Sequence, residues 1–367
     1  MRAIFLPLSC LFCLLYICPI AACAQKGGAP VTVIAYYSGN VNQIDSYPVE
    51  KLTHIIYSFC HLKGNRLNVD NAGDTATIHK LVSMKKRNPV LKVMLSLGGW
   101  GGCKPCSDVF ATGQGRLDFA SSVKEINNYF KTDGIDLDWE YPAIPGHPGH
   151  PYREEDRPNF TALVKALRDS LGKNNEISFA AGGFPVFLEQ AVEWDKLAPL
   201  IDRVNLMSYD LVNGFSTVTG HHTPLYSTSK QVESADQAVK YLAGIGFPLS
   251  KVVIGAAFYA RTWEQVDGTN NGLYQSGKFK SFVPYSIFRS TITTEKGYRF
   301  FQDKEAGAAY AYNPKEKIFA TYDDMNSVAA KTKYVKEKGL NGIMFWELTL
   351  DITSGGLLDK IYSTLHP

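Results

Sequence analysis

Asp133-Gly134-Ile135-Asp136-Leu137-Asp138-Trp139-Glu140-Tyr141-Pro142 decides how the rest of the chain is read. Its first eight residues hold four acids, yet apolar residues separate them: Ile135, Leu137 and Trp139. On a strand, side chains alternate between faces with a period of two. Asp136, Asp138 and Glu140 then share one face, while the three apolar residues share the other and can pack against helices. A solvated acidic edge strand is the alternative, and the apolar opposite face and the abrupt Tyr-Pro stop argue against it. Like charges on neighbouring positions repel, so at least one carboxyl should keep its proton to higher pH. Carboxyls that tune one another in this way suit a general-acid site.

On both sides of this stretch, strand-like and helix-like segments alternate. Apolar, β-branched or alternating runs predict strands over 31–36, 54–59, 90–96, 134–139, 177–181, 202–208, 252–259 and 342–346. Amphipathic stretches and stop signals predict helices over 75–87, 115–130, 156–172, 234–245, 325–338 and 355–365. Eight strands separated by mostly helical segments predict an α/β fold, a (β/α)8 TIM barrel. An open doubly wound sheet is the alternative, and no phosphate-cradling glycine pattern follows an early strand to support its nucleotide-binding version. Residues 263–318 carry eleven aromatics in 56 positions, with alternation in Tyr298–Phe301 and Ala309–Tyr312. That predicts a small α+β domain inserted after strand seven, which leaves residues 25–262 and 319–367 for the barrel. Such an insertion belongs at the catalytic face, where it can wall a groove.

Composition sets outer bounds. The chain has 367 residues, 45% hydrophobic and 20% charged, enough for a large core, and a net charge of +3 that makes no case for nucleic acid. Aromatics reach 12%, which suits a cleft for ligands with flat apolar faces such as sugars, or simply an aromatic core. Residues 1–24 read as a signal peptide: one charge at Arg2, an apolar run, then Ala22-Cys23-Ala24 as a small-x-small cleavage site. A lipoprotein signal with lipidation at Cys23 competes with cleavage before Gln25. A transmembrane anchor is the weaker reading, so the mature chain is expected to be secreted, extracellular or periplasmic, without an integral membrane segment. Four of the seven cysteines lie in that leader. Cys103-Lys104-Pro105-Cys106 reads as a tight disulfide of an oxidising compartment; a zinc half-site lacks a second ligand pair, and a redox-active pair is in the wrong context after a glycine-rich loop. Cys60 reads as a buried thiol, and His147 and His150 as part of a solvated loop. No cofactor, metal or nucleic acid is expected, and the chain is expected to be a monomer.

In barrels of this kind, functional groups sit at the C-terminal ends of the strands. Those ends carry Tyr36, Phe59, Ser96-Leu97-Gly98-Gly99-Trp100, Glu140-Tyr141, Met207-Ser208-Tyr209-Asp210, Arg261 and Trp346: aromatics around a small group of acids, as in a sugar-binding cleft with a proton donor. On these motifs the chain resembles glycoside hydrolase family 18, the chitinases and their relatives. Asp133-Gly-Ile-Asp136-Leu-Asp138-Trp-Glu140 is similar to that family's acidic motif. Ser96–Trp100, Met207–Asp210 and Trp346 resemble its motifs on strands three, six and eight. The likeness runs over about residues 31–365.

The resemblance implies roles. Glu140 would protonate the glycosidic oxygen and later act as base toward water, while the substrate's N-acetyl oxygen serves as nucleophile, an exception to the two-carboxylate scheme. Asp138 would hold the acetamido N–H, Asp136 would keep Asp138 ready, and Tyr209 would donate its hydroxyl to the acetamido group. Asp210 would contact the sugar near the cleaved bond. Trp346 would floor the distorted sugar, with Trp100, Tyr141 and Arg261 along neighbouring subsites. Each also has a plainer reading: Asp133 as a turn residue, Met207 as barrel packing, Arg261 as a bridge to an acid, Tyr36 and Phe59 as cleft floor or core. The substrate implied is chitin or chitooligosaccharides. An endo-β-N-acetylglucosaminidase acting on N-glycans uses the same chemistry, and a silent sugar-binding lectin on the same barrel is disfavoured by the presence of Glu140.

Overall fold

Runs such as Thr32–Tyr37 and Val252–Ala257 are apolar at nearly every position and buried on both faces, which requires a sheet covered on both sides. A computed structural model describes Met1 and residues 30–367, and eight such runs form its centre. In chain order the strands are β1 (Thr32–Tyr37), β2 (His54–Lys63), β3 (Arg66–Asn68), β4 (Lys92–Gly98), β5 (Gly134–Asp138), β6 (Glu176–Gly182), β7 (Arg203–Met207), β8 (Val252–Ala257), β9 (Tyr259–Glu264), β10 (Lys278–Pro284), β11 (Arg299–Asp303), β12 (Ala308–Asn313), β13 (Ile318–Tyr322) and β14 (Gly342–Trp346). Strands β1, β2, β4, β5, β6, β7, β8 and β14 pair in parallel, in that order, and β14 returns to β1. The sheet is a closed (β/α)8 barrel.

Helices cover its outside, and local chemistry sets their ends. Helix 113–130 begins at Thr112, whose hydroxyl accepts from the Gly115 N–H, and ends at Lys131 in the left-handed region. Helix 325–338 opens with a reciprocal cap between Asp324 and Ser327 and closes at Gly339, also left-handed. The expected helix over 75–87 is α-helical over 72–83 with one 3-10 turn after it. Between β1 and β2 only two short 3-10 turns occur, Ile44–Ser46 and Val49–Lys51. The expected leader and Cys23 lie outside the described residues. Among the described residues no helix is long and apolar enough to cross a membrane.

The strand expected over 252–259 divides. It leaves the barrel at Ala257, and after Phe258 alone the chain enters β9. There a five-stranded antiparallel sheet forms in the order β10-β9-β13-β12-β11. Its outermost residues in sequence, Tyr259 and Tyr322, lie beyond the 263–318 read from aromatic content, because β9 and β13 are contiguous with barrel elements and carry no boundary signal. Alternation along β12 serves both faces of this sheet. Ala309 and Ala311 pack with Phe288 and Tyr322, and Tyr310 and Tyr312 with Trp263 and Phe319. One helix, Tyr285–Thr291, lies against it.

Inside the barrel, the N-terminal end is closed by charge. His54, Lys92, Glu176 and Arg203 are first residues of four strands. Glu176 accepts from His54 Nε2 at 3.0 Å and from Arg203, and also pairs with Lys92. Burial opposes ionisation of Glu176, but hydrogen bonds from His54 and Arg203, with the Arg203 charge, hold its carboxyl well below the usual range. A depressed folded-state pKa contributes stability above the unfolded-state value, and that contribution is lost as pH falls. Glu176→Gln should therefore cost about 3–5 kcal/mol near neutrality, because Arg203 is left buried without its counter-charge. Denaturant unfolding measured against pH should also show a shallower loss of stability below about pH 4.3 for the variant than for the parent. Equal slopes and equal stabilities would show that the floor cluster carries no such role.

Candidate active site

At the opposite end of the barrel the acidic run behaves as alternation predicts, with one difference in extent. The ladder stops at Asp138, so Trp139 and Glu140 follow the strand and do not belong to it. Ile135, Leu137 and Trp139 pack outward into the helix layer, where Trp139 meets Phe110 and Phe160. Asp136, Asp138 and Glu140 point inward and are all buried. Two glycines allow the neighbouring loop to reach them. A Cβ on Gly98 (φ +107°) would sit 2.3 Å from the Asp138 carbonyl oxygen, and one on Gly99 (φ +78°) would sit 2.4 Å from the Phe59 ring. The Gly99 N–H donates to that Asp138 carbonyl at 2.8 Å. The Ser96–Trp100 motif is therefore a close approach of backbone to backbone, which only glycine permits. The following turn carries Cys103 and Cys106, which the structure joins as a disulfide with Cα atoms 5.2 Å apart. Cys60 is a buried free thiol.

Asp136 lies deepest. It accepts from Tyr36 Oη (3.1 Å), Ser96 Oγ (2.9 Å), Ser178 Oγ (2.7 Å) and Asn205 Nδ2 (3.1 Å). Burial raises its pKa and these four bonds oppose the rise. Asp138 has no such support: Oδ1 is buried without a hydrogen-bond partner among the described residues. Burial first, then the charges of Glu140 and Asp136, push its carboxyl well above the usual range. Burial also pushes Glu140 up to about 7, opposed by a hydrogen bond from Tyr141 and reinforced by the Asp210 charge. Burial and the neighbouring acids raise Tyr209 well above its usual range, and among the described residues its hydroxyl meets only the Met344 sulfur, at 3.8 Å. The result is one buried carboxyl held by four neutral donors, two carboxyls raised above their ordinary range, and a phenol whose hydroxyl meets no oxygen or nitrogen among the described residues.

Asp210 stands across from Glu140. Its backbone is left-handed (φ 56°). Arg261 of β9 grips both its oxygens, Nε to Oδ1 at 2.7 Å, and His222 Nδ1 lies 3.5 Å from Oδ1. Burial works against ionisation here too, but the nearby His222 ring and the two hydrogen bonds and charge of Arg261 outweigh it and hold Asp210 well below the usual carboxylate range. Arg261 is thus committed to an acid, the plainer of the two roles its sequence position allows. Its guanidinium also lies over Tyr259, Phe279 and Phe282, so the antiparallel sheet forms this wall of the cleft.

Aromatic rings line the rest. Trp346 is half-buried, stacked on Phe59 (5.6 Å, 15°) and tilted toward Tyr36 (5.8 Å). Trp100 is 46% exposed and lies within 6.4 Å of both Tyr141 and Phe215. Met207 packs inside the barrel against the cluster that includes Tyr209 and Met344. Tyr36, read as cleft floor or core, is 1% exposed and spends its hydroxyl on Asp136, which makes it the core residue of the two readings. Asp133 is structural, with Oδ2 taking the Val93 N–H at 2.7 Å and Lys85 at 2.6 Å. His147, assigned to a solvated loop, lies edge-on to Trp100 at 5.4 Å.

Sequence reasoning missed Ser96, Ser178 and Asn205 as holders of Asp136, and His222 and Phe215 around the cleft. A signal existed for the first group. Ser96 and Ser178 are polar residues inside otherwise apolar strands, and register pairs both with Asp136. The second group comes from loops, where no periodicity points to a shared location.

This geometry can be set beside known proteins. The family model for glycosyl hydrolases family 18 matches residues 32–351, and the chain belongs to that family of glycoside hydrolases. It is 32% identical to "Chitinase A1" of Niallia circulans over 86% of this chain and 55% of that protein. It is 30% identical to "Chitotriosidase-1" of Mus musculus over 84% of this chain and 69% of that one. The chain thus spans little more than half the length of the first relative. The solved structure of a family 18 N-acetylglucosaminidase from Paenibacillus barengoltzii superposes with a TM-score of 0.83 at 33% identity, covering 91% of this chain and 99% of that one.

Asp210 is the charged neighbour that raises Glu140, so Asp210→Asn should lower the Glu140 midpoint from about 7. Carboxyl-selective NMR titration checks this. A midpoint that does not move would mean that the Asp210 charge does not reach Glu140.

Proposed function

We propose that the chain hydrolyses β-1,4-linked N-acetylglucosamine polymers, chitin or chitooligosaccharides, with Glu140 as general acid and base and the substrate's own acetamido oxygen as nucleophile. The observation that carries this reading is the pairing of a Glu140 carboxyl raised to about 7 with an Asp138 carboxyl whose buried Oδ1 has no partner. A proton donor near neutral pKa is what leaving-group protonation needs, and an orphaned buried acceptor is costly unless a ligand satisfies it.

In this mechanism the Glu140 proton goes to the glycosidic oxygen as the C1–O bond breaks. The acetamido oxygen bonds to C1, and the resulting oxazolinium N–H donates to Asp138. Asp136, held by its four donors, provides the negative charge that favours a shared proton when Asp138 turns toward it. Tyr209 donates its free hydroxyl to the acetamido group. Water then attacks C1 and gives its proton to Glu140 as the C1–O bond to the acetamido oxygen breaks and the N-acetyl group is restored, so two inversions leave the anomeric configuration retained. Trp346 with Phe59 offers an apolar floor, and Trp100, Tyr141 and Phe215 offer stacking faces along a sugar chain. The antiparallel sheet supplies one wall, in keeping with its reading as an inserted domain. Residues 1–24 fit export of such an enzyme, since polymeric chitin cannot enter a cell. The likeness to an N-acetylglucosaminidase favours a second reading, release of single residues from chain ends, which analysis of products from a chitooligosaccharide series separates from internal cleavage.

Glu140→Gln should reduce turnover by about 10²–10⁴-fold while chitooligosaccharide binding, followed by calorimetry, stays near the parent value; near-normal turnover would refute the assignment. A thiazoline mimic of the oxazolinium should act as a competitive inhibitor, and indifference to it would count against acetamido participation.

A further inference from the structure

Behind the Tyr209–Asp210 wall lies an ion pair with no access to solvent. Lys331 of helix 325–338 and Asp323, which follows β13, are both fully buried, with Nζ 2.7 Å from Oδ2. Such a pair seldom stabilises a fold more than apolar side chains of similar volume would, because both charges are desolvated. What it does here is collect bonds. Asp323 Oδ2 also accepts from the Ala257 N–H at 2.9 Å and lies 3.2 Å from Thr223 Oγ1, and Oδ1 accepts from Ser327 Oγ at 2.6 Å. Lys331 donates to Thr223 Oγ1. The Thr223 hydroxyl in turn lies 3.1 Å from the Ser208 carbonyl. Ser208 Oγ bridges to β8 through the Gly255 C=O (3.0 Å) and N–H (2.9 Å).

These contacts end on residues adjacent to the cleft. Ser208 precedes Tyr209 and Asp210, Thr223 follows His222, and Ala257 is the register partner of Trp346. Ser208 and Thr223 both lie outside the strands, so side-chain bonds hold them where no ladder does. We propose that the Lys331–Asp323 pair, acting through Thr223, is the positioning device that sets Tyr209, Asp210 and His222 against Glu140. The proposal rests on the roles of Glu140 and Asp210 given above. The groups facing Asp210 are Arg261 from β9, His222, Tyr259 and Glu140, and among the described residues Arg261 is the one hydrogen-bonded to its carboxylate.

Thr223→Val tests this with little change of shape: it removes the hydroxyl between the ion pair and Ser208 and leaves Lys331 and Asp323 in place. Expected are a roughly tenfold fall in kcat with KM nearly unchanged, and an alkaline limb of the pH–rate profile moved to lower pH, the direction also expected for Asp210→Asn. Thr223→Ser, which keeps the hydroxyl, should restore both. If the valine chain does not fold, Lys331→Arg carries the same readouts, since it keeps the charge and moves the donors away from Thr223. A crystal structure of the variant separates two failures. A Ser208–Asp210 segment that stays in place, with unchanged kcat and pH limb, overturns the positioning role. A segment that moves while kcat and limb stay unchanged overturns the roles given to Tyr209 and Asp210 instead.

Discussion

The Asp136 carboxylate is the constraint on which the site depends. It lies in the barrel's interior, and the four groups that hold it are neutral: Tyr36 from β1, Ser96 from β4, Ser178 from β6 and Asn205 from β7. Hydrogen bonds satisfy its oxygens without cancelling its charge. Asp138, which has no hydrogen-bond partner on Oδ1 among the described residues, is raised well above the usual range by burial first, and then by the charges of Glu140 and Asp136. Closure of the barrel matters here, because only a closed sheet brings side chains from four strands, separated by up to 169 positions in sequence, onto one carboxylate.

The two ends of the barrel use charge in opposite ways. At the floor, Glu176 is matched by Arg203 and by the imidazole of His54, so charge is neutralised and the end is closed. At the mouth, the acids are left in excess on the β5 side and matched only across the cleft, where Arg261 grips Asp210. Asp210 is thus held well below the usual carboxylate range, while burial, with the Asp210 charge added, pushes Glu140 up to about 7. Two carboxyls facing each other with separated midpoints form an acid of near-neutral pKa beside a fixed negative charge. The antiparallel sheet has a share in this, since Arg261 belongs to β9 and reaches the barrel from outside it.

Much of this was legible in the order of residues. The period-two alternation of 133–142 is enough to place three acids on one face, and burial of Ile135, Leu137 and Trp139 follows from the same count. The strand and helix stretches follow from apolar periodicity and caps. The extent of the antiparallel sheet was less legible, because β9 continues directly from β8 with a single residue between them. Nor does composition distinguish a tyrosine that faces ligand from one that sits a layer below, as Tyr36 does.

Residue order alone is sufficient for the alternating barrel pattern and the acidic row with its inward face. These are properties of neighbouring residues, governed by dihedral freedom and side-chain period. Which acid is ionised, which tyrosine hydroxyl is free, and that Arg261 serves Asp210 are settled only by the folded arrangement. Those outcomes depend on burial and on partners distant in the chain, and electrostatic energy inside a low-dielectric barrel is set by distances that no local pattern encodes. The 133–142 stretch specifies that three carboxyls will meet one cleft; the fold specifies that they meet it in different protonation states.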